Sequence, residues 1–201
     1  MNLPQAIVQL IEELAKLPGI GRKTAKRLAF SILLKGEEDA ISLSQAITRA
    51  KQQIKSCTVC FGLSDQEICQ ICSDARRSSD VICVVEDPRN VFTIESSGVF
   101  NGVYHVLEGV ISPLQGISPA KLRIAELEKR VAEGDVKELI LSTNATLEGE
   151  ATAHYLVDLF NDKVEKITRI ARGMPAGADL EFADSNTLAR AFEGRTNYRN
   201  H

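Results

Sequence analysis

The chain has 201 residues, of which 44% are hydrophobic and 25% are charged, and its formal net charge is −3. This composition can bury a core and argues for solubility, while the absence of any run of about 18 apolar residues argues against a membrane span. Nothing at the N-terminus resembles a signal peptide. We therefore expect one or two domains with no membrane partner. Four of the five cysteines lie in one metal-like cluster, a spacing that fits a reducing cytoplasm better than a secreted disulfide framework.

Basic charge is concentrated near the N-terminus. Residues 1–60 hold nine Lys/Arg and five Asp/Glu, whereas the remainder holds fifteen and twenty-two. A phosphate backbone responds to charge within a Debye length, so this local balance matters more than the net charge. The basic segment is a candidate for binding nucleic acid.

Two helices joined by a tight turn are predicted there. Apolar residues recur at helical spacing over 3–16 and again over 22–34, and the break between them contains Pro18, Gly19 and Gly21. Free backbone N–H groups at the start of the second helix form an anion site. The candidate DNA-binding residues are Gly19, Gly21, Arg22, Lys23, Lys26 and Arg27.

These features favour contact with phosphates and not with base edges. Charge alone fits an ordinary helix-turn-helix packing unit with a solvated basic face equally well. The segment from Leu17 to Ala25 adds specificity, because it resembles the helix-hairpin-helix motif of DNA repair and recombination proteins, which binds the DNA backbone non-specifically.

A third helix is predicted from Ser42 or Ser44, each a suitable N-cap, to Lys55. Its spacing predicts a buried apolar stripe. The stripe consists of Leu43, Ala46, Ile47, Ala50 and Ile54.

Two Cys-x-x-Cys pairs follow, Cys57 with Cys60 and Cys69 with Cys72. Four thiolates so spaced predict one structural Zn²⁺ per chain, because four sulfur ligands leave no open position for catalysis. Iron–sulfur ligation, a redox-active pair and a disulfide knot are the alternatives. The few apolar residues of the segment could not fold it without a metal.

The rest of the chain alternates strands and helices. Strands are predicted over 81–85, 103–107, 138–142 and 166–170, with helices over 87–96, 118–133, 148–161 and 184–193. Such alternation predicts an α/β domain with a mainly parallel four-stranded sheet and helices on both faces, followed by a tail helix.

Acidic residues follow two of these strands, where ligands of parallel sheets bind. Glu86 and Asp87 follow the first strand, and Asn144, Glu148 and Glu150 follow the third. Their carboxylates could hold Mg²⁺. Alternatively, Asp87 and Glu148 cap helices, where negative charge is favourable, and for Asp87 this is the interpretation we favour.

The order of these modules, together with Val84-Val85-Glu86-Asp87, the segments 104–113 and 142–151 and the tail 176–184, resembles the RecR family of bacterial recombination mediators over nearly the whole chain. The resemblance implies a helix-hairpin-helix region over 1–55, a zinc module over 56–73, a Toprim domain over 80–172 and an oligomerisation tail over 173–201. The family likens this tail to a Walker B motif, yet no phosphate-binding loop accompanies it.

Toprim enzymes place a glutamate after the first strand and Asp-x-Asp after the third. Glu86 matches the glutamate, but Asn144 and Thr146 occupy the Asp-x-Asp position, and neutral groups cannot supply the charge that a catalytic Mg²⁺ needs. The sequence therefore predicts a Toprim scaffold without catalysis. The alternatives are a Mg²⁺-dependent nuclease or topoisomerase and, with no base-reading element to support it, a small regulatory DNA-binding module.

The resemblance further implies a cytoplasmic, nucleoid-associated protein of recombinational repair. It implies sequence-independent binding to single- and double-stranded DNA, and action with RecO and RecF to load RecA onto single-stranded DNA coated by its binding protein. It also implies a dimer-based homotetrameric ring. The zinc module would fix the angle between the hairpin and the Toprim domain.

Overall fold

The computed structural model describes residues 3–196, so the last five residues of the predicted tail lie outside the described part. The chain forms two compact units, Met1–Ile54 and Lys55–His201.

The first unit contains α1 (Gln5–Ala15), α2 (Arg22–Leu33) and α3 (Glu37–Gln53). Its small core consists of Ile11 from α1 and of Ala25 and Ala29 from α2, all buried. The two alanines present little bulk to α1, which packs against α2 along the predicted apolar stripes. The two predicted helices of the hairpin are confirmed.

The prediction for α3 was wrong in two respects. The helix begins at Glu37, with Gly36 as N-cap, because Glu37, Glu38 and Asp39 place three negative charges in the first turn, where the helix dipole favours them. The predicted buried stripe is exposed along its length, and Ile47 is 63% exposed.

The second unit begins with a small fold that contains the four clustered cysteines and continues into an α/β sheet. The first part contains β1 (Lys55–Ser56), the antiparallel β2 (Leu63–Ser64) and one turn of helix, α4 (Gln70–Ser73). The elements that follow are β3 (Ser78–Val85), α5 (Pro88–Glu95), β4 (Gly102–Val106), α6 (Ile124–Glu133), β5 (Glu138–Leu141), α7 (Leu147–Phe160), β6 (Lys166–Arg169) and the tail helix α8 (Ser185–Glu193).

The four longer strands form one sheet in the order β4-β3-β5-β6, and all three pairings are parallel. The first predicted strand, β3, is central and is buried on both faces, as its continuous apolar run indicated. The predicted parallel sheet is confirmed, and β4 and β6 are its edge strands.

Helices cover both faces of the sheet. On one face, Ile82 and Leu139 pack with Leu127 of α6 and with Leu156 and Phe160 of α7. On the other face, alternate residues of β3 and β4 pack with α5 and with two residues of the cysteine segment. These are Cys83, Val85, Tyr104 and Val106 with Val91, Ile94, Phe61 and Ile71. Part of the second face is therefore covered by the cysteine segment and not by a helix.

Two local predictions differ from the structure. The helix expected from 118 begins only at Ile124, because Leu122 is extended and buries its side chain in the core after a short 3-10 turn over Pro119–Lys121. The helix expected from 148 begins at Leu147, and its residues Ala151 and Tyr155 are exposed. Among residues 3–196, no helix is both long and apolar enough to cross a membrane.

Candidate functional site

The four cysteines converge as predicted. One ligand atom from each of Cys57, Cys60, Cys69 and Cys72 lies within 4.8 Å of the others, and the first three residues are buried. The Sγ atoms of Cys60 and Cys69 are 3.6 Å apart, close to the roughly 3.8 Å expected between two sulfurs of a tetrahedral zinc site. None of the four forms a disulfide, so the disulfide alternative does not apply.

Backbone amides surround the sulfurs. Gly62 donates its N–H to Cys60 Sγ at 3.4 Å, and Cys69 donates its N–H to Cys57 Sγ at 3.3 Å. The hydrogen bond from Cys72 lowers the pKa of the Cys60 thiol to about 5, and the same bond raises the pKa of Cys72. One sulfur of the group therefore accepts enough hydrogen bonds to favour its thiolate form. A bound cation would stabilise the thiolate form of all four cysteines.

The cysteine segment is joined to the sheet. Val106 of the edge strand β4 donates its N–H to the carbonyl of Cys60 at 2.8 Å. The guanidinium of Arg123 lies 4.9 Å from the ring centroid of Phe61, and the same arginine pairs with Glu108 at 2.8 Å. The segment is therefore one more element of the sheet domain.

His105, which lacks any metal-ligand spacing in the sequence, has a structural role. Its side chain is completely buried, and its Nε2 lies 2.7 Å from the carbonyl oxygen of Arg123. Burial lowers the pKa of His105 to about 4, so the ring is neutral at pH 7. A neutral ring in contact with Phe61 fits a packing role.

The carboxyl ends of β3 and β5 meet as expected. The carboxylate of Glu86 accepts from the backbone N–H of Asn144 at 2.8 Å and from its side-chain amide at 2.5 Å. Asn144 therefore donates a hydrogen bond to each carboxylate oxygen of Glu86. An aspartate side chain at this position would present only acceptors. Thr146 caps α7 by accepting from Gly149 N–H at 3.1 Å.

Glu150 is neutralised by two arginines. Its carboxylate pairs with Arg169 at 2.5 Å and with Arg172 at 2.6 Å. Burial opposes its ionisation, but hydrogen bonds and charge from Arg172 and Arg169 prevail and lower the pKa of the carboxyl. Both arginines, with Asn144, line a cleft of about 270 Å³ beside the ends of β5 and β6.

Asp87 and Glu148 have different roles. Asp87 is the N-cap of α5 in a capping box with Asn90, and the hydrogen bond from Arg89 lowers the pKa of its carboxyl. This is the capping role that we favoured. Glu148 lies in the first turn of α7 but does not cap it. Within residues 3–196, the four cysteines are the only group of three or more potential ligands close enough to hold a metal ion.

The hairpin of the first unit presents its backbone to the outside. Gly19 has a φ of +80°, a conformation in which a side chain is strained, and a Cβ on Gly19 or Gly21 would meet nothing within 4 Å. None of the described side chains caps α2, and no acidic residue lies in its first turn. The four predicted cations on α2 are exposed, and none forms an ion pair with a described residue. They are Arg22, Lys23, Lys26 and Arg27.

The sequence did not indicate the arginine partners of Glu150 and Glu108. Arg169 and Arg172 close the site around Glu150, and Arg123 holds Glu108. Only the position of Arg169, at the end of the last strand and paired with Leu141 at the end of β5, could have indicated the contact with Glu150.

Comparison with known proteins adds the family. Family models match four consecutive segments. They are the RecR helix-hairpin-helix over 7–51, the RecR zinc finger domain with four cysteines over 54–74, the Toprim domain over 80–171 and the RecR C-terminal segment over 173–196.

Curated relatives match over almost the full length. The Recombination protein RecR of Pelotomaculum thermopropionicum is 53% identical over 189 residues, covering 94% of each chain. That of Desulforudis audaxviator is 51% identical, covering 97% of this chain and 98% of its own. That of Heliobacterium modesticaldum is 50% identical, covering 95% and 96%.

The fold and its cysteine centre define a zinc-binding Toprim protein with an N-terminal helix-hairpin-helix. Its four cysteines fit one structural Zn²⁺, and this confirms the predicted cofactor. The chain belongs to the RecR family of recombination proteins, which act in DNA repair.

Proposed function

We propose that the chain is a non-enzymatic mediator that binds DNA and acts with RecO and RecF to load RecA onto single-stranded DNA coated by its binding protein. The observation that carries this proposal is the combination of an open, cationic hairpin with a Toprim site whose carboxylates are already engaged. With RecO and RecF present, we expect the chain to accelerate RecA-dependent ATP hydrolysis on coated DNA. No acceleration over RecO and RecF alone would contradict the mediator role.

DNA binding rests on the hairpin. The N–H groups of Arg22, Lys23 and Thr24 at the start of α2 have no acceptor among the described residues, and Lys23 and Arg27 lie one turn apart on the same helix face. Such donors bind phosphate without reading bases, so contact with single- and double-stranded DNA would be independent of sequence. The proposed DNA-binding set remains Gly19, Gly21, Arg22, Lys23, Lys26 and Arg27.

The Toprim site would serve partner docking and not phosphodiester chemistry. Glu86 is held by an amide, and Glu150 is held by two arginines. A metal would have to displace these donors and would find no aspartate at 144 or 146. The acidic surplus beyond residue 60 favours docking of basic partner surfaces on this unit.

An assay for strand cleavage with Mg²⁺ or Mn²⁺ tests the absence of catalysis. We expect no nicking of supercoiled DNA by the wild-type chain, because the only metal-ligand cluster among residues 3–196 is the four-cysteine centre, which leaves no open position for a metal-bound nucleophile. The matched control is Glu86→Gln, which keeps the shape of the side chain and removes its charge. Scission by the wild type that disappears in Glu86→Gln would establish the nuclease or topoisomerase alternative.

We further propose that the chain assembles into a ring-like homotetramer. The α3 stripe is exposed, and Phe182 and Phe192 of the tail segment are 84% and 68% exposed. Apolar faces at both ends of the chain suit two separate self-contacts, as a closed ring of dimers requires. Light scattering with and without DNA should give four chain masses, and a strict monomer in both conditions would contradict the ring.

The proposed division of the chain is 1–55 for DNA binding, 56–73 for zinc, 80–172 for the Toprim domain and 173–201 for oligomerisation. The division into units after Ile54 supports the first boundary. The protein would act in the cytoplasm at the nucleoid, where its DNA partner lies.

A further inference from the structure

The outer edge of β4 is not open. β4 pairs with β3 on one side only, so the peptide groups on its other side need partners from outside the sheet. Val106 N–H donates to the carbonyl of Cys60 at 2.8 Å, and the carbonyl of Tyr104 accepts from Arg130 Nη1 at 2.5 Å. The cysteine segment and one arginine of α6 therefore share this edge.

The shared edge places Arg130 beside the cysteine centre. Residues two apart on a strand direct their peptide groups to the same side and lie about 6.6 Å apart. The guanidinium of Arg130, which donates to the carbonyl of Tyr104, therefore lies near Cys60, whose carbonyl accepts from the N–H of Val106. Ile71, the residue before Cys72, packs against the buried cluster that contains Tyr104 and Val106.

Arg130 has no carboxylate partner in the described part of the chain. It is half-buried, and no acidic residue among positions 3–196 forms an ion pair with it, although the other arginines that contact the sheet, Arg77, Arg123 and Arg169, each have one. A partly buried cation without a counter-charge is unfavourable, so its partner should be an anion nearby.

The cysteine centre supplies that anion. One Zn²⁺ with four thiolates carries a net charge of −2, which is not balanced by any of its ligands. We propose that Arg130 is the counter-ion of the zinc–tetrathiolate centre and positions it against the edge of β4. The guanidinium offsets the dianion by charge and holds the strand edge by its bond to Tyr104.

Zinc affinity of the full-length chain, measured by competition with a chromophoric chelator, tests the proposal. Arg130→Met keeps the length of the side chain and removes its charge, and we expect it to weaken zinc binding by about 10- to 100-fold. Arg130→Lys keeps the charge and should remain within about threefold of the wild type. The matched control is Arg77→Met, which removes an arginine that bonds Gly102 on the same strand but is already paired with Glu95.

A spectroscopic measurement separates charge from packing. In the Co²⁺-substituted chain, a nearby cation stabilises the sulfur lone pairs, so Arg130→Met should move the sulfur-to-cobalt charge-transfer bands to longer wavelength, while Arg77→Met should leave them in place. Wild-type affinity in Arg130→Met would overturn the proposal. An equal loss in Arg130→Lys, or in Arg77→Met, would overturn it as well, because it would reduce Arg130 to a packing residue of the strand edge.

Discussion

Replacing Cys57 with serine should reduce bound zinc from about one ion per chain to a small fraction of that value. Cys57 is completely buried, and its sulfur accepts hydrogen bonds from the amides of Val59 and Cys69. The serine hydroxyl is a weaker zinc ligand than the thiolate, and water from outside cannot reach the site to take the place of the lost sulfur. Zinc contributes roughly 10–16 kcal/mol to small modules of this kind, and losing one ligand removes much of that stabilisation. Metal analysis of the purified protein and chelator competition measure the loss.

Cys83→Ser is the matched control, because Cys83 is a buried cysteine outside the zinc centre, with its sulfur 3.1 Å from Ser142 Oγ. Its zinc content should equal that of the wild type. Since Cys57 and the hairpin belong to different units, Cys57→Ser should weaken DNA binding only indirectly. A wild-type chain purified without zinc would refute the assignment of the centre.

Replacing both Lys23 and Arg27 with alanine should weaken DNA binding and flatten its salt dependence. Each lost phosphate contact lowers the slope of log affinity against log salt by about one unit, so the double variant should lose roughly two. Fluorescence anisotropy of labelled DNA across a salt series measures both quantities. The effect should be the same for different DNA sequences, because backbone contacts carry no sequence information.

The control for this experiment lies in the same unit. Arg49→Ala with Lys51→Ala removes the same charge from α3, which presents three acids in its first turn. If the net charge of the unit alone drives DNA binding, the slope of log affinity against log salt will fall by the same amount in both double variants. An unchanged slope in the Lys23 and Arg27 variant would remove the hairpin from the DNA interface.

Patterns confined to one segment predicted the structure well. The apolar run of β3, the break at Pro18–Gly21 and the Cys-x-x-Cys pairs each encode their structure locally, by periodicity, turn chemistry or ligand spacing. Asn144, which departs from the Asp-x-Asp pattern in the sequence, donates to both carboxylate oxygens of Glu86.

Features that depend on distant partners were missed. The stripe of α3 has helical spacing, but spacing does not state whether a second surface of the same chain covers it. The pairing of Glu150 with Arg172 joins residues from different elements, and charge counts alone cannot reveal it. The late start of α6 follows from the burial of Leu122, which tertiary packing decides and local propensity does not.

The bond between Cys60 and β4 has a consequence for synthesis. The four cysteines precede every strand of the four-stranded sheet in the chain, so during translation they leave the ribosome first and can capture zinc before the sheet exists. A loaded module then presents the Cys60 carbonyl as a fixed acceptor when β4 emerges. The supply of zinc during translation would thus govern how efficiently new chains add the edge strand β4 to the sheet.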